Sequence, residues 1–191
     1  MFSLATGISR KGSVLSELRD RPNDGLRGSS IIAAIKSAGI NTVLSVPDIW
    51  TSKGLLFPIA DDKELRLIRV CKEDEAVGIT AGLYFCGQRA ISLVQSTGLL
   101  DSLNAMRAMG LEYKQPICMM VGLLGKEPDL KPRESKRVGV NIIEPVLDAM
   151  GITHHLLETE ADVAKIKPAI DAAYKKPEPL VLLIGRRPDA S

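Results

Sequence analysis

The sequence predicts a doubly wound α/β fold, with a mostly parallel sheet and helices on both faces of the sheet. From Ser29 onward, segments with strand patterns alternate with segments long enough to be helices. The predicted strands are apolar along their whole length rather than at every second residue, which is typical of strands covered on both faces. Strands joined by helices in this way pair in parallel.

The first predicted unit is a helix followed by a short strand. Ser29 or Ser30 can cap a helix that runs to Ser37. Gly39 is expected to end that helix, because glycine adopts the left-handed conformation without strain. The β-branched and apolar residues at 41–46 then predict a strand, which Pro47 terminates.

The remaining elements follow from the same alternation. In order, they are a helix at about 50–60, a strand at 65–71, a helix at 73–86, a strand at 90–95, a turn at 96–98, a helix at 99–109, a strand at 117–121, a long polar loop at 122–141, a helix at 143–150, a short strand at 154–157, a helix at 160–174 and a strand at 180–184.

Acidic residues, glycines and a proline set the ends of several helices. Three acids in the first turn at 73–75 suit the positive end of a helix dipole. Gly110 and Gly151 are expected to end their helices. Pro168 should kink or split the helix at 160–174, because proline removes a backbone hydrogen bond.

Composition limits the class of protein and divides the chain. With 25 basic and 23 acidic residues among 191, the sequence lacks the strongly basic balance of a general nucleic-acid binder. Neither a secretory signal nor a membrane-spanning run is recognisable, so we expect a cytoplasmic protein without a membrane partner. Residues 1–26 are predicted to form a poorly ordered or peripheral arm, and residues 27–191 the folded domain. Cys71, Cys86 and Cys118 are expected to be reduced and buried.

Ligands bind doubly wound sheets at the carboxyl ends of the strands, so the segments at 47–50, 71–75, 95–101 and 122–141 are the candidate site loops. Glu73 opens a helix at this edge, although alone it could be an ordinary solvated helix start. Gly78 and Gly82 lie one turn apart on one face of that helix, which suggests close approach of another backbone. That backbone could belong to the domain's own sheet or to another subunit.

A polar stretch follows the strand at 90–95 and consists of Gln95, Ser96, Thr97 and Gly98. It could form a polar pocket wall at the start of a helix, or simply a capped helix. Together with the Glu73 segment and the loop at 45–48, this stretch resembles the pyrimidine-binding domain of thiamine-diphosphate decarboxylases. The sulfopyruvate and phosphonopyruvate decarboxylases are the families that it resembles most, over residues 29–186.

The resemblance implies roles for individual residues. Glu73 matches the glutamate that hydrogen-bonds the cofactor's pyrimidine ring and activates the cofactor, so it is the predicted catalytic residue. Gln95, Ser96, Thr97 and Gly98 are implied to bind the cofactor with Glu73. The implied substrate contacts are Pro47, Asp48 and Gln95.

The chain departs from the family pattern in two places. Ser96 and the residues after it replace an amide- and glycine-rich stretch, which leaves the substrate open. The chain also lacks the Gly-Asp-Gly motif that such enzymes use to hold Mg²⁺ and the diphosphate. We therefore expect a partner subunit to carry this motif, in a hetero-oligomer of αβ type with homo-association possible, and no metal ligand in this chain.

Lys131 and Arg133 lie in the long polar loop and could attract an anionic 2-oxoacid, although a solvated mixed-charge loop is the simpler interpretation. The sequence thus predicts the pyrimidine-binding subunit of a decarboxylase acting on a small, sulfopyruvate-like anionic 2-oxoacid. The alternatives are a carboligase or lyase subunit with the same cofactor, and a non-catalytic regulatory or assembly subunit. Retention of Glu73 speaks against a non-catalytic subunit.

Overall fold

The computed structural model describes residues 25–190. Its elements are α1 (Gly28–Ser37), β1 (Thr42–Ser45), a π-helical turn (Ser52–Leu56), α2 (Phe57–Asp61), β2 (Arg66–Arg69), α3 (Glu73–Phe85), β3 (Ala90–Gln95), α4 (Ser96–Asp101), α5 (Leu103–Ala105), a second π-helical segment (Met106–Glu112), β4 (Cys118–Gly122), a 3₁₀ turn (Pro132–Glu134), α6 (Val138–Asn141), α7 (Ile143–Met150), β5 (Thr153–Leu157), a second 3₁₀ segment (Glu160–Lys165), α8 (Ile166–Lys175) and β6 (Leu180–Ile184).

The six strands form one sheet in the order β2-β1-β3-β4-β6-β5, and every neighbouring pair is parallel. Two large apolar clusters lie on opposite faces of the sheet. One contains Ile35 of α1 and Ile170 of α8, and the other contains Val77 of α3 and Leu147 of α7. Successive residues of β6 enter the two clusters in turn, so both faces of this strand are covered. The predicted α/β fold class is therefore confirmed.

The start of α1 differs from the prediction, because neither Ser29 nor Ser30 is the cap. The helix begins at Gly28, whose N–H donates to the carbonyl of Asp189 at 2.9 Å. A Cβ atom at Gly28 would overlap the carbonyl of Gly54. Close packing of three backbone segments, rather than a side-chain cap, thus sets this helix start.

The helical region after β3 begins earlier and ends later than predicted. Ser96 is already the first residue of α4, so 96–98 is a helical turn rather than a loop. The helical region continues through the second π-helical segment and ends at Glu112, not at Gly110. A Cβ at Gly110 would lie 3.0 Å from Cβ of Pro179, so this glycine permits close packing instead of ending a helix.

Two further elements refine the predicted pattern. The long polar loop contains the 3₁₀ turn and α6, so it is not fully irregular. The helix around Pro168 is divided as predicted, because α8 follows a 3₁₀ segment and begins at Ile166.

The arm predicted for residues 1–26 lies almost entirely outside the described residues. Leu26, however, is fully buried in the core, and its carbonyl accepts a hydrogen bond from the N–H of Asp189. No helix in the range 25–190 is long and apolar enough to cross a membrane.

The expectation for the cysteines is correct for one residue and wrong for two. All three thiols are free, but Cys71 and Cys86 are exposed. Both lie next to the ends of α3. Each has an apolar neighbour in the sequence, but the cysteine itself faces solvent. Cys118 lies in the core, and burial raises the pKa of its thiol to about 12.

Candidate active site

The candidate site lies where β1, β2 and β3 end. β1 lies between the other two strands, and its last residue, Ser45, is in register with Arg69 of β2 and Leu93 of β3. The chain leaves β1 toward one side for β2 and later crosses to the other side for β3. Such a change of direction opens a crevice at the carboxyl ends of parallel strands.

Glu73 and Gly98 meet in this crevice, although 25 positions separate them in the sequence. A Cβ atom built on Gly98 would overlap Oε1, Cδ and Cγ of Glu73. The Glu73 side chain therefore lies directly on the backbone of the first turn of α4. Glycine is required at position 98 because any larger residue would displace the carboxylate.

The three acids at the start of α3 have different environments. Glu75 accepts hydrogen bonds from the backbone N–H groups of Cys71, at 2.9 Å, and Lys72, at 3.3 Å. Asp74 accepts one from the N–H of Glu75 at 2.9 Å. Glu73 makes no hydrogen bond or ion pair with any residue in the range 25–190. Asp74 and Glu75 thus organise the helix start, while the Glu73 carboxylate is available to a ligand.

The polar residues after β3 border the same crevice. Thr97 donates its hydroxyl hydrogen bond to Oε1 of Gln95 at 3.0 Å. Gln95 is half-buried and Ser96 is buried at the first position of α4. Gln95 and Thr97 thus adjoin Gly98, which contacts Glu73, and the contact of these residues with a cofactor stays a prediction.

The loop after β1 is organised by Asp48. Its carboxylate accepts hydrogen bonds from the N–H groups of Trp50, at 2.5 Å, and Thr51, at 2.8 Å, and from the Thr51 hydroxyl at 2.5 Å. Pro47 and Ile49 on either side of it are exposed. Because the Asp48 carboxylate is already engaged, the structure gives it a role in shaping the loop. Its predicted contact with substrate, like that of Pro47, stays a prediction.

Trp50 lies in the predicted site loop at 47–50, but the sequence did not reveal its contacts. Its indole Nε1 donates to the carbonyl of Ile184 at 3.2 Å, so the loop after β1 reaches across the sheet edge to the end of β6. A Cβ on Gly122, at the end of β4, would lie 3.0 Å from Cδ1 of Trp50. The only sequence signal for this contact was that the chain has a single tryptophan.

Lys131 and Arg133 are not brought into contact with Glu73. The Arg133 guanidinium pairs with Asp148 and with Glu144 of α7, the latter at 3.3 Å, and these contacts raise its pKa. Lys131 is exposed, and its backbone N–H donates to the Glu134 carboxylate at 3.2 Å at the start of the 3₁₀ turn. The charge of Arg133 therefore anchors the loop to α7, and attraction of an anionic substrate by these two residues stays a prediction.

No group of three or more His, Cys, Asp or Glu side chains within residues 25–190 is arranged to hold a metal ion. The adjacent His154 and His155 lie on β5, where Nδ1 of His154 is 3.1 Å from the carbonyl of Ile152.

Comparisons with known proteins identify relatives of nearly the same length. The chain is 32% identical over 161 residues to the sulfopyruvate decarboxylase subunit alpha of Methanocaldococcus jannaschii, covering 83% of this chain and 93% of that protein. It is 29% identical to the subunit alpha of Methanococcus maripaludis, covering 81% and 92%.

A longer relative is the sulfopyruvate decarboxylase of Methanosarcina acetivorans, to which the chain is 26% identical over 81% of its own length but only 39% of that protein. No protein-family model matches the chain. The identity to the Methanocaldococcus jannaschii protein, which extends over almost the whole of that relative, shows that this chain belongs to the family of sulfopyruvate decarboxylase alpha subunits.

Proposed function

We propose that this chain is the pyrimidine-binding subunit of a thiamine-diphosphate-dependent decarboxylase acting on a small anionic 2-oxoacid such as sulfopyruvate. The observation that carries this proposal is the environment of Glu73. Its carboxylate lies on the Gly98 backbone at the ligand edge of the sheet and makes no hydrogen bond or close ion pair within the described part of the chain. The substrate class comes from the names of the relatives.

The chemistry of the residues at the crevice supports this proposal. Gly98 leaves room for the Glu73 carboxylate to lie on the α4 backbone, and Ser96 and Thr97 beside it are small and polar. Thiamine diphosphate supplies the electron-accepting centre for decarboxylation when it is bound. The Glu73 carboxylate would hold a shared proton at a ring nitrogen and so orient the ring. The Gln95 amide would border the substrate.

The proposal requires a second polypeptide, because this chain has no Gly-Asp-Gly motif to hold Mg²⁺ and a diphosphate. The first two relatives are themselves named as alpha subunits, and the longer relative extends well beyond the region that this chain matches. We propose that the partner carries the Gly-Asp-Gly motif.

The outward face of α3 is a candidate contact surface for that partner. The segment 76–86 has no charged residue, although part of it faces outward. Ile79 is 37% and Phe85 77% exposed, and a Cβ at Gly78 or Gly82 would meet nothing within 4 Å. Packing against the domain's own sheet therefore does not explain why glycine stands at positions 78 and 82. We propose instead that these glycines permit close contact with another subunit.

The purified chain alone should bind thiamine diphosphate weakly and should not decarboxylate sulfopyruvate, because the diphosphate site is expected on the partner. Isothermal titration of the chain with cofactor and Mg²⁺, before and after adding the partner, measures this. Tight Mg²⁺-dependent binding by the isolated chain would contradict the two-subunit proposal.

Replacing Gly82 with leucine should weaken assembly with the partner and leave the isolated chain folded. The new side chain meets open space within this chain, but it would overpack a close subunit contact at a typical cost of about 1–3 kcal/mol. Ala33→Leu, at an exposed position of α1, is the matched control. Equal partner affinities for the two variants in analytical ultracentrifugation would remove α3 from the interface.

A further inference from the structure

Arg186 is a cation at the ligand edge of the sheet, and it forms no ion pair with the residues that the structure describes. It lies two residues beyond the end of β6 and is half-buried. Its Nε atom is shielded from solvent and has no hydrogen-bond acceptor within the described part of the chain. A buried donor without an acceptor lowers stability, and more so when the group is charged, so its presence calls for an explanation.

The other shielded cations of the chain are paired. Within residues 25–190, four lysine or arginine residues are buried or half-buried, and three of them form close ion pairs. These pairs are Lys36 with Asp62 at 2.8 Å, Arg89 with Asp171 at 2.7 Å and Lys126 with Glu158 at 2.5 Å. Arg186 is the exception among the described residues, so its acceptor has to come from outside residues 25–190.

The neighbouring carboxylate, Glu158, already forms an ion pair with Lys126. It packs against Gly185, where a Cβ would lie 2.8 Å from its Cγ atom. The ammonium group of Lys126, whose side chain is fully buried, forms an ion pair with Oε1 of Glu158 at 2.5 Å and donates a hydrogen bond to the carbonyl of Glu127 at 3.0 Å. Oε1 of Glu158 accepts no hydrogen bond within residues 25–190, so this contact is electrostatic. Lys126 thus neutralises the acid beside β6 and leaves Arg186 as an uncompensated positive charge.

Strand register places Arg186 on the same edge as the candidate active site. Gln95 pairs with Gly122, and Gly122 pairs with Ile184, so these three residues lie side by side at the ends of β3, β4 and β6. Neighbouring strands are about 4.8 Å apart, so the backbones of Gln95 and Ile184 are separated by about 10 Å. The Trp50 indole fixes the end of β6 through its hydrogen bond to Ile184.

We propose that Arg186 binds the second acid group of the substrate, the oxyanion at the end opposite the 2-oxocarboxylate. This inference rests on the proposed function and deepens it, because it names the residue that selects a doubly charged 2-oxoacid over a singly charged one. A guanidinium is suited to this task, since its fork of N–H donors matches the geometry of a tetrahedral or carboxylate oxyanion.

The test uses the assembled complex and two substrates, sulfopyruvate and pyruvate. Arg186→Met should lower kcat/KM for sulfopyruvate by about 30-fold or more and change that for pyruvate by less than about threefold. Arg186→Lys should restore part of the loss. Arg187→Met, one residue further and at an exposed position, is the matched control and should leave the ratio of the two kcat/KM values unchanged.

A binding measurement separates this inference from the proposed function. Calorimetric titration with unreactive 3-sulfopropanoate should show affinity for the wild-type complex that Arg186→Met loses and Arg187→Met keeps. An equal loss for sulfopyruvate and pyruvate, or a raised cofactor requirement with an unchanged substrate ratio, would overturn the role of Arg186. A wild-type complex that decarboxylates no 2-oxoacid would contradict the proposed function, and the 3-sulfopropanoate titration would still test Arg186.

Discussion

Glu73→Gln should remove nearly all turnover of the assembled enzyme and leave its fold and assembly intact. The side chain makes no hydrogen bond within the described chain, and glutamine has almost the same shape, so stability should be unchanged. An amide cannot hold the shared proton that a carboxylate holds at a ring nitrogen. Groups that move protons in this way contribute about 10²–10⁴-fold, and steady-state kinetics should show a loss of that size.

The controls for this variant are the two adjacent acids. Glu75→Gln weakens an acceptor of two backbone N–H groups at the start of α3, so it should cost stability, on the order of 1 kcal/mol, with activity retained. Asp74→Asn should behave similarly. Thermal unfolding together with kinetics separates the two roles. Loss of turnover in Glu75→Gln with retention in Glu73→Gln would place the catalytic carboxylate two positions away.

Gly98→Ala should give the second large effect, a loss of activity of about 10²-fold in a folded protein. The added methyl group overlaps the end of the Glu73 side chain, which is flexible, so the chain can fold by moving the carboxylate aside. A displacement of about 1 Å at a reacting group can cost about 10²-fold. A crystal structure of the variant should therefore show a displaced Glu73 carboxylate, and kinetics should show a lower kcat.

Gly139→Ala is the matched control, because a Cβ at that position of α6 meets nothing within 4 Å. It should be as active as wild type. If Gly98→Ala kept full activity with Glu73 visibly displaced, the position of this carboxylate would not matter for the reaction.

The sequence predicted the sheet well because its strands are marked locally. β4 and β6 are wholly buried and wholly apolar, so a short apolar run between helices is sufficient to identify each of them. Glycines were less informative, since the same residue type can end a helix or permit a contact. Gly151 has φ of 68° and ends α7 as predicted, whereas Gly110 packs against Pro179 in the middle of a helical segment.

The sequence predicted the individual motifs of the site but not the contacts between them. Glu73 and Gly98 were both named from the sequence, but their contact joins segments 25 positions apart. The hydrogen bond between Trp50 and Ile184 spans 134 positions. Arg186 could not be recognised from its neighbours in sequence, because its significance depends on the pairing of Glu158 with Lys126.

The most direct test of the central claim is the rate of hydrogen–deuterium exchange at C2 of thiamine diphosphate bound to the assembled complex, followed by NMR after rapid quenching. This rate reports activation of the cofactor without requiring the right substrate. Wild type and Glu75→Gln should exchange rapidly, and Glu73→Gln should slow exchange by about 10²-fold or more. Equal exchange rates in all three proteins would contradict the assignment of Glu73 as the residue that activates the cofactor.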